Sequence, residues 1–303
     1  MQSLSIEKTK PTIAIIGCGT VGSAIGKLLR DVGYRISGVA TSNLETAQRA
    51  AEVTGSESYS DSPSEIAPGA EIVFITTPDD LIESVCVEIS KQCSFQQNAV
   101  IVHCSGAFSS EILASARQCR AKVASLHPLQ SFASVDQAVL LVPGSFCTVE
   151  GDENALPVVR QIVKDLGGIV LEITADKKTL YHAAAVAASN YLVTLLHLAL
   201  ELDQAAGLPK DTSFNALLPL IKGTLNNIGK QGIPDALTGP IARGDVATVS
   251  AHLKAIEKDA PALLSLYQCL GLYTVDLAKA KGTIGQETAQ KLIALLQPQK
   301  KNY

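Results

Sequence analysis

The sequence lacks the cysteine spacings that mark a metal site or a disulfide framework. Its seven cysteines include no C-x-x-C pair, and such an odd, scattered set indicates reduced thiols in a cytoplasmic protein, with no metal site predicted. A long basic run is also missing, and the net charge of -4 disfavours nucleic acid or an anionic membrane as a partner. The polar opening MQSLSIEKTKPT has no apolar signal core, so we expect no secretion signal.

Long hydrophobic runs are equally scarce. The one apolar stretch of membrane-spanning length, residues 183–200, contains Ser189, Asn190 and His197, polar groups that hydrocarbon penalises. With 47% hydrophobic and 18% charged residues over 303 positions, the composition is globular and excludes extensive disorder. We therefore expect a soluble protein with no membrane partner.

Short β-rich runs alternate with helical patterns through the first half of the chain. The predicted strands are TIAIIG, RISGVA, EIVFIT, AVIVHC, KVASLH, FCTVE and IVLEI. This alternation predicts βαβ units in a mainly parallel sheet, covered by helices on both faces. Beyond Ile173 the strands stop and a long helix to about Gly207 begins, followed by shorter helices. The predicted fold is α/β, with a Rossmann-type domain over residues 1–173 and an all-α domain over residues 174–303.

A glycine-rich loop follows the first predicted strand and opens a helix. The segment IAIIGCGTVGSAIG places Gly17, Gly19 and Gly22 in the pattern G-x-G-x-x-G, with Thr20 and Val21 at the helix start. In dinucleotide-binding domains the first glycine permits the turn, the second admits the pyrophosphate and the third allows close helix packing. Helix N-terminal amides then face the anion. The sequence predicts dinucleotide binding here, and a purely structural turn is the alternative.

The end of the second strand indicates which dinucleotide binds. An NAD site usually has Asp or Glu at this point to bind the ribose hydroxyls. Here the segment VATSN offers Thr41 and Ser42, with no acid before Glu45. We therefore predict NADP, with NAD as the alternative, although no arginine lies in the loop and Arg49 is further along the helix.

Polar residues follow three other predicted strands. In open α/β sheets, ligands bind outside the carboxyl ends of the strands. We therefore assign one group of these residues to the cofactor, namely Thr76, Thr77, Pro78, His103 and Ser105. His127 is a catalytic candidate and Gln130 a substrate-binding candidate, because the proline after His127 keeps that histidine extended at a strand end. Structural histidines bonded within the core are the alternative.

The segment YHAAAVAASNYL carries polar residues within an alanine-rich helix. At about 100° per residue, Lys178, His182 and Ser189 share one side of this helix, and Asn190 begins a neighbouring stripe. The first hypothesis is that His182 supplies a proton, Asn190 polarises a C=O or C=N bond and Ser189 contacts substrate. The alternative is a buried helix whose polar atoms bond to neighbouring helices.

Four segments together resemble a known superfamily: HCSGAFSSE, HPLQSF, YHAAAVAASN and GPIARGD. The chain resembles a Rossmann domain joined to a helical domain of the 6-phosphogluconate dehydrogenase C-terminal type, and it is most similar to an uncharacterised bacterial family with a C-terminal domain of unknown function. Pyrroline-5-carboxylate reductases, prephenate dehydrogenases and deazaflavin-linked NADP oxidoreductases are similar in parts. The hydroxyacid dehydrogenases of this superfamily have a lysine four residues before an asparagine on this helix, where this chain has Val186.

The resemblance implies a nicotinamide cofactor, a small-molecule substrate bound between the domains, and a homodimer formed by the helical domain. Arg243 is the candidate for binding a substrate carboxylate, since a guanidinium suits such planar recognition. The predicted function is an NADP-dependent oxidoreductase that transfers hydride to or from a small carbonyl or imine. A dinucleotide-binding sensor or scaffold without catalysis is the alternative.

Overall fold

An eight-stranded sheet forms the framework of the first two thirds of the chain. The computed structural model describes residues 10–298. The strands are β1 Ile13–Ile16, β2 Ile36–Ala40, β3 Tyr59–Ser60, β4 Ile72–Ile75, β5 Val100–His103, β6 Lys122–Pro128, β7 Phe146–Gly151 and β8 Ile169–Glu172. Their order is β3-β2-β1-β4-β5-β6-β7-β8, and only the β6–β7 pair among them is antiparallel. The predicted mainly parallel Rossmann-type sheet is confirmed.

Helices connect the strands and, after β8, form most of the chain up to residue 298. The α-helices are α1 Thr20–Asp31, α2 Leu44–Thr54, α3 Pro63–Ile66, α4 Ile82–Lys91, α5 Val135–Leu141, α6 Leu156–Asp165, α7 Lys178–Ala188, α8 Asn190–Ala205, α9 Lys210–Gln231, α10 Val246–Asp259, α11 Leu264–Lys281 and α12 Gln286–Leu296. Four 3-10 helices lie at Asp79–Leu81, Ser110–Cys119, Ala175–Lys177 and Pro261–Leu263. The helical character predicted for the second half of the chain is confirmed.

The central strands are apolar on both faces because helices cover both. All residues of β1 and β4 are buried, and side chains alternate between the two faces of a strand. Ile15 and Phe74 belong to one hydrophobic cluster, whereas Ile16 and Ile75 belong to the other. Two cores, one on each face, therefore hold the strands rigidly and fix where their carboxyl ends stand.

The chain forms two compact units, Met1–Ser189 and Asn190–Tyr303. The boundary predicted after residue 173 marks where the strands end, whereas the first compact unit continues through α7. The predicted long helix is interrupted at Ser189, whose backbone leaves the regular helical conformation. The second unit has a core of its own, which includes Val275 and Leu292.

The elements that the sequence did not indicate are short or irregular. β3 has two residues and α3 has four, too few to show a periodicity. The 3-10 helix Ser110–Cys119 has three residues per turn, and so it lacks the α-helical spacing of apolar residues. β3 forms one edge of the sheet, whereas the 3-10 helix packs against α4 and β6.

One helical stretch, Ala175–Ala205, is long and apolar enough to cross a membrane, with a mean hydropathy of 1.6. This property rests on length and composition alone. The stretch contains the fully buried ammonium of Lys178 and the break at Ser189. Within residues 10–298, only 6% of its most apolar window is buried.

Candidate active site

The glycine loop leaves one position open to solvent and closes the two others. Gly17 has a φ of 90°, and a Cβ there would stand 2.6 Å from Thr77 N. A Cβ at Gly22 would overlap Gly17 O, whereas a Cβ at Gly19 would meet no described atom within 4 Å. Gly17 and Gly22 are therefore required for the turn and the packing. Gly19 keeps space free above the start of α1.

A cavity of about 590 Å³ opens above this loop. Its lining comprises Ile16, Gly17, Cys18, Gly19, Thr20, Val21, Ala40, Thr41, Ser42, Thr46, Asp61, Pro63, Thr76, Thr77, Pro78, Leu81 and Val85. Most of the residues predicted to bind the cofactor thus surround one space. Burial raises the pKa of the Cys18 thiol to about 12, so this cysteine lines the cavity as a neutral group.

The cavity has the polar groups that a dinucleotide requires. Gly19 caps α1 without a side-chain hydrogen bond, so amides at the start of this helix can donate to a phosphate. The buried hydroxyl of Thr77 has no hydrogen-bond partner within residues 10–298, although buried polar atoms are normally paired. Space, free donors and an unpaired hydroxyl together fit a pyrophosphate and its ribose.

The end of β2 contributes hydroxyls and a nearby acid. Thr41 Oγ1 donates to Asn43 O and shares a hydrogen bond with Thr46, so this hydroxyl braces the start of α2. Ser42 lines the same end of the cavity. Asp61, which the sequence analysis missed, lines it as well, because β3 places the residue after Ser60 beside β2. Arg49 forms an ion pair with Glu45 along α2.

Two of the residues predicted to bind the cofactor, Thr76 and Ser105, make hydrogen bonds within the loops that follow β4 and β5. Thr76 Oγ1 donates to Gly17 O. Ser105 Oγ donates to Asp79 Oδ2 at 2.8 Å and accepts from the amide of Ala107 at 3.1 Å. These contacts fix the turns after β4 and β5.

His103 ends β5 and lies completely buried. Its Nδ1 accepts from the Ser105 amide at 3.1 Å. Burial, and secondly the charge of Lys178, lower the pKa of His103 to about 3. The ring is therefore neutral at physiological pH, and it does not belong to the lining of the cavity above the glycine loop.

His127 and His182 form a pair beside Gly106. Their ring centroids lie 6.0 Å apart in an edge-to-face arrangement. A Cβ at position 106 would stand 2.7 Å from His127 Nε2 and would overlap His182 Nδ1. Both nitrogens therefore face the same point, and glycine is the residue that leaves them room.

Tyr181 completes this group. Its hydroxyl lies 3.1 Å from His127 Nδ1, and burial raises its pKa. Burial first, then the charges of Lys178 and His182, lower the pKa of His127 to about 4. At neutral pH we expect a neutral imidazole that accepts from Tyr181 at Nδ1 and carries its proton at Nε2.

Lys178 and Glu150 are site-adjacent residues that the sequence analysis did not select. Lys178 is fully buried, donates to Ser125 Oγ, and places its Nζ 3.6 Å from Glu150 Oε1. The i, i+4 spacing of Lys178 and His182 on a helix was the available signal. No sequence pattern indicated Glu150, because its contact with Lys178 depends on the pairing of β7 with β6.

The other residues predicted to bind substrate or take part in catalysis are exposed. Gln130 is exposed, and its Oε1 accepts from the amide of its own neighbour, Ser131. Ser189 is exposed where α7 ends. Asn190 and Arg243 are exposed residues of the second compact unit. Their assignments to catalysis and substrate binding stay predictions.

The arrangement matches known proteins over nearly its whole length. Residues 1–128 match the Rossmann-like domain, and residues 145–274 match the domain of unknown function DUF2520. Protein TM1727 of Thermotoga maritima is 30% identical, with a TM-score of 0.72 over 89% of this chain and 99% of that one. The chain belongs to the Rossmann–DUF2520 family. No curated protein sequence matches it significantly.

Other solved structures share this fold at lower identity. Protein BF3122 of Bacteroides fragilis, provisionally described as an NADP oxidoreductase, is 23% identical with a TM-score of 0.72 over 88% of this chain and 99% of that one. An imine reductase of Myxococcus stipitatus, in complex with NADP+, is 15% identical with a TM-score of 0.65 over 95% of this chain and all of that one. Pyrroline-5-carboxylate reductases share the fold too. The resemblance found in the sequence is confirmed.

Replacing Gly19 by valine is predicted to abolish dinucleotide binding while the protein stays folded. A branched side chain would fill the open space where the pyrophosphate approaches. The dissociation constant for NADPH should therefore rise by about a hundredfold or more. Calorimetric titration with NADPH measures this, and circular dichroism checks the fold.

Gly285 provides a matched control. It also caps a helix without a side-chain bond, has an ordinary φ of -82°, and has no described atom within 4 Å of an added Cβ. The Gly285→Val variant should bind NADPH normally. Normal binding by Gly19→Val as well would mean that the loop is only a structural turn.

Proposed function

We propose that the protein is an NADP-dependent oxidoreductase that transfers hydride between the cofactor and a small carbonyl or imine substrate. One observation carries the proposal: a glycine loop with an open phosphate space follows one strand of the sheet, and His127, the partner of His182, stands at the carboxyl end of another. Ile16 of β1 pairs with Ile75 of β4, which pairs with His103 of β5, which pairs with Ser125 of β6. The three strand-to-strand steps span about 14 Å, enough for a nicotinamide nucleotide and a small substrate side by side.

The fold of known reductases supports the same conclusion. The imine reductase of Myxococcus stipitatus binds NADP+, and a pyrroline carboxylate reductase of Plasmodium falciparum has been solved with NADP bound. Their identities to this chain are 15% and 18%, so they support a cofactor class and a reaction type and leave the substrate open. The chain's own side chains must indicate the rest.

The histidine pair supplies the proton chemistry that accompanies hydride transfer. A bound nicotinamide dinucleotide would supply or accept the hydride. His127 Nε2–H faces the point beside Gly106 and can donate its proton to a substrate oxygen or nitrogen. The Tyr181 hydroxyl, hydrogen-bonded to Nδ1, holds the ring in this tautomer, and solvent then restores the proton at Nε2. Such positioned acid–base groups contribute about 10²–10⁴-fold to rates. His182 orients the same substrate atom, and Asn190 stays the proposed polarising residue.

The Gly106→Ala variant is predicted to keep cofactor binding and lose turnover. The new Cβ would displace both imidazole rings, and turnover should fall by about a hundredfold, the scale of a misplaced acid–base group. Oxidation of NADPH is followed at 340 nm with a panel of small ketones, 2-oxo acids and cyclic imines. NADPH affinity is measured beside it.

Gly223→Ala is the control, since a Cβ there would meet no described atom within 4 Å. His127→Gln serves as the second variant if Gly106→Ala unfolds, because it removes the proton donor while nearly keeping its size. Tight NADPH binding by the wild type without any substrate turnover would instead favour the sensor or scaffold function.

Cofactor preference is the finer part of the proposal. Thr41 and Ser42 leave the end of β2 without an acid, which favours NADPH, whereas the Asp61 carboxylate lines the same cavity and would repel a 2′-phosphate. We expect the wild type to bind NADPH more tightly than NADH. Asp61→Asn should widen that preference by about tenfold, the effect of removing one partly screened like charge.

Both affinities are measured by calorimetry at one fixed ionic strength. Asp136→Asn, a substitution at an acidic residue in the first turn of α5, controls for net charge. Tighter binding of NADH by the wild type would contradict the NADP assignment, and an unchanged preference in Asp61→Asn would remove Asp61 from the cofactor site.

We also propose that the protein is a cytoplasmic homodimer whose helical units pair. All seven cysteines lie within the described residues and none forms a disulfide, as is usual in the cytoplasm. Val193 of α8, Leu220 of α9 and Tyr273 of α11 are each about two thirds exposed or more. Apolar surface on three helices of one small unit is typical of an interface.

Light scattering should therefore give twice the mass of one chain. The Val193→Asp and Leu220→Asp changes together should produce monomers, because buried carboxylates without partners oppose association. Leu140→Asp, at an equally exposed leucine of α5 in the first unit, should leave the dimer intact. A wild-type monomer at all concentrations would refute this proposal.

A further inference from the structure

One face of the sheet is polar where β5, β6 and β7 meet. Ser125 pairs with Glu150 and His127 with Thr148 across β6 and β7, and His103 of β5 pairs with Ser125. Directly paired residues, and residues two apart on a strand, point to the same face. These five side chains therefore form one layer, and all of them except His127 are fully buried.

Helix α7 covers this polar layer with three residues of one side. Lys178, Tyr181 and His182 are spaced i, i+3 and i+4, which places them on one helix face. Lys178 donates to Ser125 Oγ and Tyr181 contacts His127 Nδ1. Lys178 and Glu150 thus form an ion pair at the level of Ser125. The proton-donating residue, His127, lies two residues further along β6, at the strand end.

A gain in folding stability does not explain why Lys178 and Glu150 are buried as an ion pair. Desolvating two charges costs several kcal/mol per ion, and apolar residues of similar size often serve a fold as well or better. Glu150 is nevertheless fully engaged: Oε1 accepts from Ser110 N at 2.7 Å and Oε2 from Ser110 Oγ at 2.8 Å, besides the contact with Lys178. A buried charge held this firmly is typical of a functional electrostatic role.

The pKa of Lys178 depends on its burial and on the charged groups around it. Burial lowers the pKa of Lys178, whereas Glu150 on β7, Cys104 after β5 and Asp79 after β4 raise it. The charge of Lys178 in turn adds to burial in lowering the pKa values of His103 and His127. The histidine layer therefore experiences a positive potential and resists taking up a proton.

We propose that the buried ammonium of Lys178 makes this site selective for carbonyl substrates over imines. This inference rests on the proposed function and names its substrate class. A carbonyl oxygen gains negative charge as the bond is reduced, which a nearby positive charge stabilises. An imine reacts as its protonated, cationic form, which the same charge disfavours.

The reduction balances with groups already assigned. A bound, reduced nicotinamide dinucleotide would supply a hydride, with its electron pair, to the carbonyl carbon and would itself be oxidised. The π electrons of the C=O bond move to oxygen, and the oxygen takes the proton of His127 Nε2 to give an alcohol. His127 then regains its Nε2 proton from solvent, while Tyr181 keeps its own proton and its hydrogen bond to Nδ1. Lys178 transfers nothing and acts as a positioning and electrostatic residue.

The kinetic test compares cyclopentanone with 1-pyrroline, a ketone and an imine with the same ring size. Wild type should give the higher kcat/KM with the ketone. The Lys178→Met/Glu150→Gln double variant removes both charges and leaves neither partner buried alone, and circular dichroism checks its fold. The ketone-to-imine ratio should fall about tenfold, the scale of one partly screened charge, because Lys178, and not Glu150, is among the charges that act on His127. Arg160→Gln, which breaks the exposed pair with Glu172, should leave the ratio unchanged.

A second readout does not require turnover. The His127 imidazole is titrated by NMR without ligand, and its wild-type pKa is expected at about 4. Loss of the Lys178 charge should move this pKa towards the ordinary 6.5, so that His127 becomes protonated at higher pH in the folded double variant. The Arg160→Gln variant should titrate like the wild type.

The outcomes separate the two claims. A wild-type preference for the imine, or an unchanged ratio in the folded double variant, overturns the carbonyl selectivity while the reductase function stands. No turnover of either probe or of the wider panel contradicts the proposed function, and the selectivity falls with it. An unchanged His127 titration in the double variant shows that Lys178 exerts no charge effect on the site and overturns the inference by itself.

Discussion

Parallel pairing of β1, β4, β5 and β6 is the constraint on which the candidate site depends. Parallel strands in register end at one edge of the sheet, so the loops that follow them must share that edge. Ile16, Ile75, His103 and Ser125 lie in one row across the four strands. The glycine loop, the Thr76–Pro78 turn and the histidines are neighbours for this reason, although more than a hundred residues separate them in sequence.

The antiparallel pairing of β6 with β7 brings a buried acidic residue, Glu150, next to β6. Running back along β6, β7 places Glu150 opposite Ser125 and Thr148 opposite His127, and so it brings an acid under the strand end. That acid makes the burial of Lys178 tolerable, because an unpaired ammonium at this depth would lose its proton or unfold the helix. The strand that breaks the parallel pattern therefore permits a charge beside the histidines.

Local sequence patterns predicted most of the framework and the glycine loop at one end of the candidate site. Strand–turn–helix context identified the glycine loop, since its function depends on residues five positions apart. The histidine end was only half predictable. His127 and His182 could be selected as polar residues at a strand end and on an apolar helix. Their approach beside Gly106, however, depends on α7 lying over β6, which no local pattern indicates.

The residues missed follow the same division. Asp61 reaches the cofactor cavity because a two-residue strand, β3, pairs with β2, and two residues show no periodicity. Glu150 lies in a strand that was predicted, yet its partner depends on strand order and direction. A residue's role could be predicted when it depended on the sequence pattern of one strand or helix. It could not be predicted when it depended on the pairing of two elements that are distant in sequence.

The alanine-rich segment shows how one helix can serve two purposes. Its polar residues divide at Ser189, where the backbone leaves the helix. Lys178, Tyr181 and His182 precede the break and pack on the polar face of the sheet, whereas Asn190 follows it, exposed in the second unit. The alanines between them have side chains too small to hold that stretch in a core of its own. Charge and hydrogen bonding at the start of α7, rather than apolar packing along it, therefore fix the position of His182.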